Sequence, residues 1–189
     1  HPHARLALQS IKRDQVTILT KTHATSEAEM RADLDRFRRE LGTDYLDIVV
    51  LHNMQSPTWP QEKAGAMAVL SEAKQKGIIR THGVSCHTLG GLKTASQADW
   101  VEVDLARLNP VGASMDADPD TVISVLRTMK QKGKGVIGMK ILGGGALPPR
   151  GDEALQFALA QDVLDCSTIG AENVGEFRNL LTKIPPASI

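Results

Sequence analysis

The feature that most constrains this chain is a recurring order: an apolar strand, a polar residue at its C-terminal end, a loop, then an amphipathic helix. Val16-Thr17-Ile18-Leu19-Thr20 ends on Lys21, and Ile48-Val49-Val50-Leu51 ends on His52. Thr81-His82-Gly83-Val84 ends on Ser85-Cys86-His87, and Val136-Ile137-Gly138-Met139 ends on Lys140. The units recur roughly every 30 residues without hairpin signals, a pattern that gives a parallel sheet covered by helices. The strand-end polar groups then gather at one end of the sheet, where barrel enzymes hold their chemistry.

Six strand–helix units can be read in this way. After the tail of a helix (Arg5 to Lys12) and the first strand, Ser26 with Glu29 has the form of a capping box. Met30, Leu34, Phe37 and Leu41 follow at helical spacing, and Gly42 stops that helix. The remaining elements are a strand Leu46 to His52, a helix Gln61 to Lys76 and a strand Ile79 to Ser85. A weakly patterned helix Leu89 to Gln97 and a strand Trp100 to Leu108 come next. Pro119 opens a helix that stops at Gly133, and a strand Gly135 to Ile141 leads to a loop with Gly143-Gly144-Gly145 and Pro148-Pro149. Asp152 caps a helix Glu153 to Gln161, before a short strand Cys166 to Ile169 and a helix Val174 to Lys183. Neither common phosphate-binding loop, G-x-G-x-x-G or G-x-x-x-x-G-K-[ST], is present.

A closed (β/α)8 barrel takes roughly 250 residues. The expectation is therefore an α/β chain forming a partial TIM barrel, a single incomplete domain over residues 1–189, with two strand–helix units expected ahead of residue 1.

Lys plus Arg and Asp plus Glu both number 22, which removes the electrostatic case for nucleic acid or an anionic membrane as the main partner. No apolar run approaches the ~18 residues of a membrane span. Two cysteines outside any Cys-x-x-Cys pair exclude a disulfide framework and make a reducing, cytoplasmic compartment the expectation.

Three strings resemble the aldo-keto reductases: Val16 to Lys21, Leu41 to His52 (LGTDYLDIVVLH) and Gly77 to Ser85 (GIIRTHGVS). The resemblance implies an NADP-dependent oxidoreductase, with NAD possible, that reduces a small-molecule aldehyde or ketone by hydride transfer. It makes Lys21 the lysine that lowers the pKa of a proton-donating tyrosine, and His52 the histidine that orients the carbonyl. The family's Asp and Tyr lie ahead of the lysine strand, so both are expected outside this chain, which alone is expected to be inactive. Tyr45, the sole tyrosine, sits at the opposite end of the strand that carries His52.

The resemblance further assigns Ser85 to the nicotinamide carboxamide, with Cys86 beside it where the family usually has Asn. Lys140, Gly143 and Gly144 match the loop along the pyrophosphate, and Gly170, Ala171 and Asn173 match the segment that meets the adenosine phosphates. Arg178 is the nearest basic candidate for a 2′-phosphate. Leu105 and Leu108 stand where the family often has a Gln and a ring-stacking Tyr, and Arg107 is a polar neighbour of the site. No resident metal is expected. Two alternatives remain open here: a nucleotide-binding subunit that turns nothing over, and a metal-dependent hydrolase using His23, His52, His87 and Cys86.

Overall fold

The computed structural model describes residues 1–147 and 151–187, so the Pro148-Pro149 loop lies outside the described residues. Helix α1 (Pro2–Leu8) and a 3-10 turn (Arg13–Gln15) precede β1 (Leu19–Thr22) and α2 (Glu27–Leu41). Then come β2 (Leu46–Met54), α3 (Trp59–Glu62), α4 (Ala64–Gln75), β3 (Ile79–Cys86), α5 (Leu89–Gln97) and β4 (Val103–Arg107). Helix α6 (Pro119–Gln131), β5 (Gly135–Met139), α7 (Gly151–Leu159), β6 (Cys166–Ser167) and α8 (Val174–Ala187) complete the chain. The six strands lie in sequence order and every neighbouring pair is parallel. This is the partial barrel expected from the alternation.

The two sheet faces have separate cores. Val50, Val103, Leu105, Ile137 and Met139, with Leu19 and Ile48 against them, fill the interior face. The larger cluster lies between strands and helices and includes Leu51, Val84, Ala106, Leu126 and Met129. Alternation along each strand therefore decides which side chains enter the barrel. Lys21 lies two residues beyond Leu19, His52 two beyond Val50, and Arg107 two beyond Leu105. All three continue the interior row to the C-terminal rim.

Local chemistry explains the helix boundaries. The capping box at Ser26 is formed, with the Ser26 side chain accepting from the Glu29 N–H and the Glu29 side chain accepting in return. Gly42 ends α2 in the left-handed region at φ 70°. Asp118 caps α6 by accepting from the Thr121 N–H, one residue ahead of Pro119.

Several boundaries differ from the sequence expectation. The helix expected over Gln61 to Lys76 is broken into α3 and α4, with Lys63 at φ −106° joining them. Strand β2 runs past His52 to Met54 through a register shift at Asn53, whose φ is 67°. The weakly patterned helix α5 forms because Gly91 meets the end of β2, where a Cβ would lie 2.4 Å from the Met54 carbonyl oxygen. Among the described residues no helix is long and apolar enough to cross a membrane.

Candidate active site

Strands β1 to β3 end together. The register pairs Thr22 with Leu51 and His52 with Ser85, so Lys21, His52 and Ser85 stand on adjoining strand ends. Lys21 is exposed, His52 is half-buried and Ser85 is fully buried. The loop residues His23 and His87 flank His52 in a row of edge-to-face imidazoles. Ring centroids are 4.8 Å apart for His23–His52 and 5.0 Å for His52–His87.

Burial first, and the Lys21 charge second, push the His52 pKa down to about 4. His87 is lowered by burial and then by Arg107, Lys21 and Lys140. These causes place Lys21, Arg107 and Lys140, from three strand ends, around one cup. Both imidazoles are neutral at pH 7, and a neutral imidazole offers one N–H and one lone pair. Among the described residues the His52 Nδ1, His87 Nε2 and Ser85 Oγ atoms are buried without a hydrogen-bond partner. Orphaned polar atoms in a concave site are sockets for a ligand or for water.

Arg107 projects into the same rim and is held by an ion pair with Asp116, whose side chain is almost wholly buried. Behind them, Asp104 faces the helix layer at 0% exposure, with neither carboxyl oxygen hydrogen-bonded among the described residues. Burial first, then the neighbouring Asp116, raise its pKa to about 8, while the Cys86 thiol acts the other way.

A second concavity opens beyond β5 and β6. This groove, about 800 Å³, is lined by Lys140, Gly144, Gly145, the segment Thr168 to Glu172 and one side of α8. Gly143, Gly144 and Gly145 have φ of 64°, 66° and 94°, a left-handed run that glycine accepts without strain. No atom lies within 4 Å of where a Cβ on Gly145 or Gly170 would be, so the backbone there is open to a ligand. Asn173 caps α8 by accepting from the Glu176 N–H at 2.9 Å.

The expected site residues thus fall into two connected places. Lys21, His52 and Ser85 form the cup; Lys140, Gly144, Gly170 and Ala171 line the groove, with Gly143 buried beneath the loop and Asn173 at the helix start. Cys86 is the exception and a correction. It alternates away from Ser85, faces the helix layer beside Asp104, and is a fully buried core residue whose thiol pKa is raised by burial. Leu108 is also sealed in the helix-side core, so it is unable to stack on a ligand in the cup. Arg178 does not line the groove. Tyr45 lies at the other end of the sheet, with the Arg13 guanidinium 3.9 Å over its ring and the Arg80 side chain on its hydroxyl at 3.2 Å.

Among the described residues no group of three His, Cys, Asp or Glu side chains is disposed to hold a metal ion. His87 joins the cup although the reductase resemblance gave it no role, and Asp104 lies behind the cup on the helix side. His87 was detectable as the polar residue just past a strand end; the burial of Asp104 had no such signal.

Lysine and histidine at adjoining interior strand ends of a parallel α/β sheet, beside a glycine-lined groove, define the enzyme-type rim of a barrel fold. The chain belongs to the aldo/keto reductase family, whose model matches residues 4–181. No curated protein matches the sequence. Among solved structures the chain is similar to aldo-keto reductase AKR11C1 from Bacillus halodurans in its holo form. The two share 19% identity and a TM-score of 0.78, over 96% of this chain and 70% of that one. An aldo-keto reductase structure from Pseudomonas aeruginosa gives a TM-score of 0.77 at 17% identity, over 96% of this chain and 70% of that one. The thermostable aldo-keto reductase Tm1743, in complex with the inhibitor epalrestat, gives 0.75 at 17% identity, over 98% and 75%.

Proposed function

We propose that this chain carries the hydride-transfer site of an enzyme that reduces an aldehyde or ketone to an alcohol with a nicotinamide dinucleotide. The observation that carries the reading is the pairing of Lys21 and His52 on adjoining interior strand ends, with His52 held neutral by burial and by the lysine charge. When bound, the nicotinamide supplies the hydride.

The remaining work falls to the protein. The His52 N–H orients the carbonyl and steadies the negative charge growing on its oxygen. The Lys21 ammonium favours the anion of a neighbouring phenol and so eases its loss of a proton at neutral pH. That phenol is not Tyr45, which is at the far end of the sheet. The donor, and a carboxylate partner for Lys21, would come from elsewhere in the intact protein. Ser85 Oγ, buried and unpartnered beside His52, suits the carboxamide of the nicotinamide. Lys140, with Gly143 and Gly144, suits a pyrophosphate, and Gly170, Ala171 and Asn173 suit the adenosine end.

Carbonyl-dependent oxidation of a reduced nicotinamide dinucleotide by the intact protein tests the reading. The expected result is loss of turnover in Lys21→Met and a fall of roughly a hundredfold in kcat for His52→Gln. Turnover indifferent to both changes would refute it. The buried Leu105 and Leu108 favour a second reading, a nucleotide-binding subunit without turnover, because neither offers a ring to hold the nicotinamide. Nucleotide binding with no carbonyl reduction in the intact protein would select it.

A further inference from the structure

The groove beyond β5 and β6 has a charge pattern that separates two closely related dinucleotides. Lys140 lines the groove and also acts on His87 in the cup, so a dinucleotide whose reactive ring reaches His52 would place its adenosine end against α8. The charged side chains lining the groove are Lys140, Lys183, Asp152, Glu172 and Glu176. Neither lysine stands unpaired at the start of α8. Lys140 follows β5 next to the glycine loop, with its Nζ 3.9 Å from where a Cβ on Gly144 would be. Lys183 is bound to Asp152 at 2.5 Å.

The start of α8 already holds an anion. The Glu176 carboxylate accepts the Glu172 N–H at 2.8 Å and the Asn173 side-chain amide at 2.8 Å. It therefore occupies the backbone donor to which a ligand phosphate would turn. The Glu172 side chain adds a second carboxylate on the same wall. Among the described residues no Arg lines the groove.

A ribose bearing a free 2′-hydroxyl donates hydrogen bonds to carboxylates, whereas a 2′-phosphate needs cations. We propose that the groove selects the unphosphorylated dinucleotide, NAD(H), over its 2′-phosphorylated form, with Glu172 and Glu176 as the residues that set the choice. This departs from the NADP use implied by the sequence resemblance, and it rests on the reading of the groove as the nucleotide site.

Calorimetric titration of the intact protein with NADH and with NADPH tests it. The expected result is NADH bound about tenfold tighter at low salt, with the ratio narrowing as ionic strength rises. The variant Glu172→Lys leaves the capping bonds of α8 in place and is expected to improve NADPH binding about tenfold and to weaken NADH binding severalfold, so that the preference inverts. Equal or tighter binding of NADPH by the wild type, or a ratio unmoved in Glu172→Lys, overturns the inference while leaving the groove as a nucleotide site. Binding of neither nucleotide overturns the groove assignment itself, and this inference with it.

Discussion

Replacing Asp104 with Asn should flatten part of the pH dependence of stability. Asp104 is fully buried, neither of its oxygens has a hydrogen-bond partner among the described residues, and its pKa is raised from 3.8 to about 8. In the folded protein the carboxyl keeps its proton at pH values where the unfolded chain has released it. The folded state therefore binds more protons between about pH 4 and pH 8, and stability falls as pH rises through that window. One fully coupled group contributes about 1.4 kcal/mol per pH unit, so from pH 5.5 to 7.5 the loss is at most roughly 2–3 kcal/mol. Buried histidines such as His82 push the other way, because burial lowers their pKa and favours folding as pH rises. Comparing wild type with Asp104→Asn at each pH cancels them. Urea unfolding at the two pH values is the assay. The variant should match the wild type within about 1 kcal/mol at pH 5.5 and exceed it by about 2 kcal/mol at pH 7.5. An equal difference at both pH values would show that Asp104 carries no proton in the fold.

Other changes probe the frame and the groove. In Gly83→Ala the new Cβ would lie 1.8 Å from the Val103 carbonyl oxygen across the β3–β4 pair, so the substitution should cost more than about 3 kcal/mol or leave the protein insoluble, as thermal unfolding would show. Leu126→Ala, at the fully buried face of α6, should cost about 2–5 kcal/mol by denaturant titration. Lys140→Met should weaken nucleotide binding about three- to tenfold without lowering the unfolding midpoint, since the side chain is exposed and makes no ion pair among the described residues.

The sheet was legible because the central strands are rich in apolar residues and α2, α4, α5, α6 and α8 carry a cap or a glycine stop; Ser26, Gly42 and Pro119 needed no tertiary information. The cup was legible in part. Lys21 and His52 stand at strand ends and fall on the interior face by counting in twos from Leu19 and Val50. The same counting, applied past Ser85, would have turned Cys86 toward the helices, where it is found. Helix α5 was legible at its observed bounds, Leu89 to Gln97, but the reason for its glycines, the close contact of Gly91 with Met54, was not. Asp104 reads as an alternating polar residue, yet both faces of β4 are covered, so alternation no longer reports exposure.

The shared cup is tested most directly by titrating the His52 imidazole with NMR in the wild type and in Lys21→Met. The wild-type imidazole should titrate near pH 4, and removing the lysine charge should move that value upward toward 6.5. A His52 resonance that titrates near pH 6.5 in both proteins would place the two side chains in separate surroundings and contradict the site.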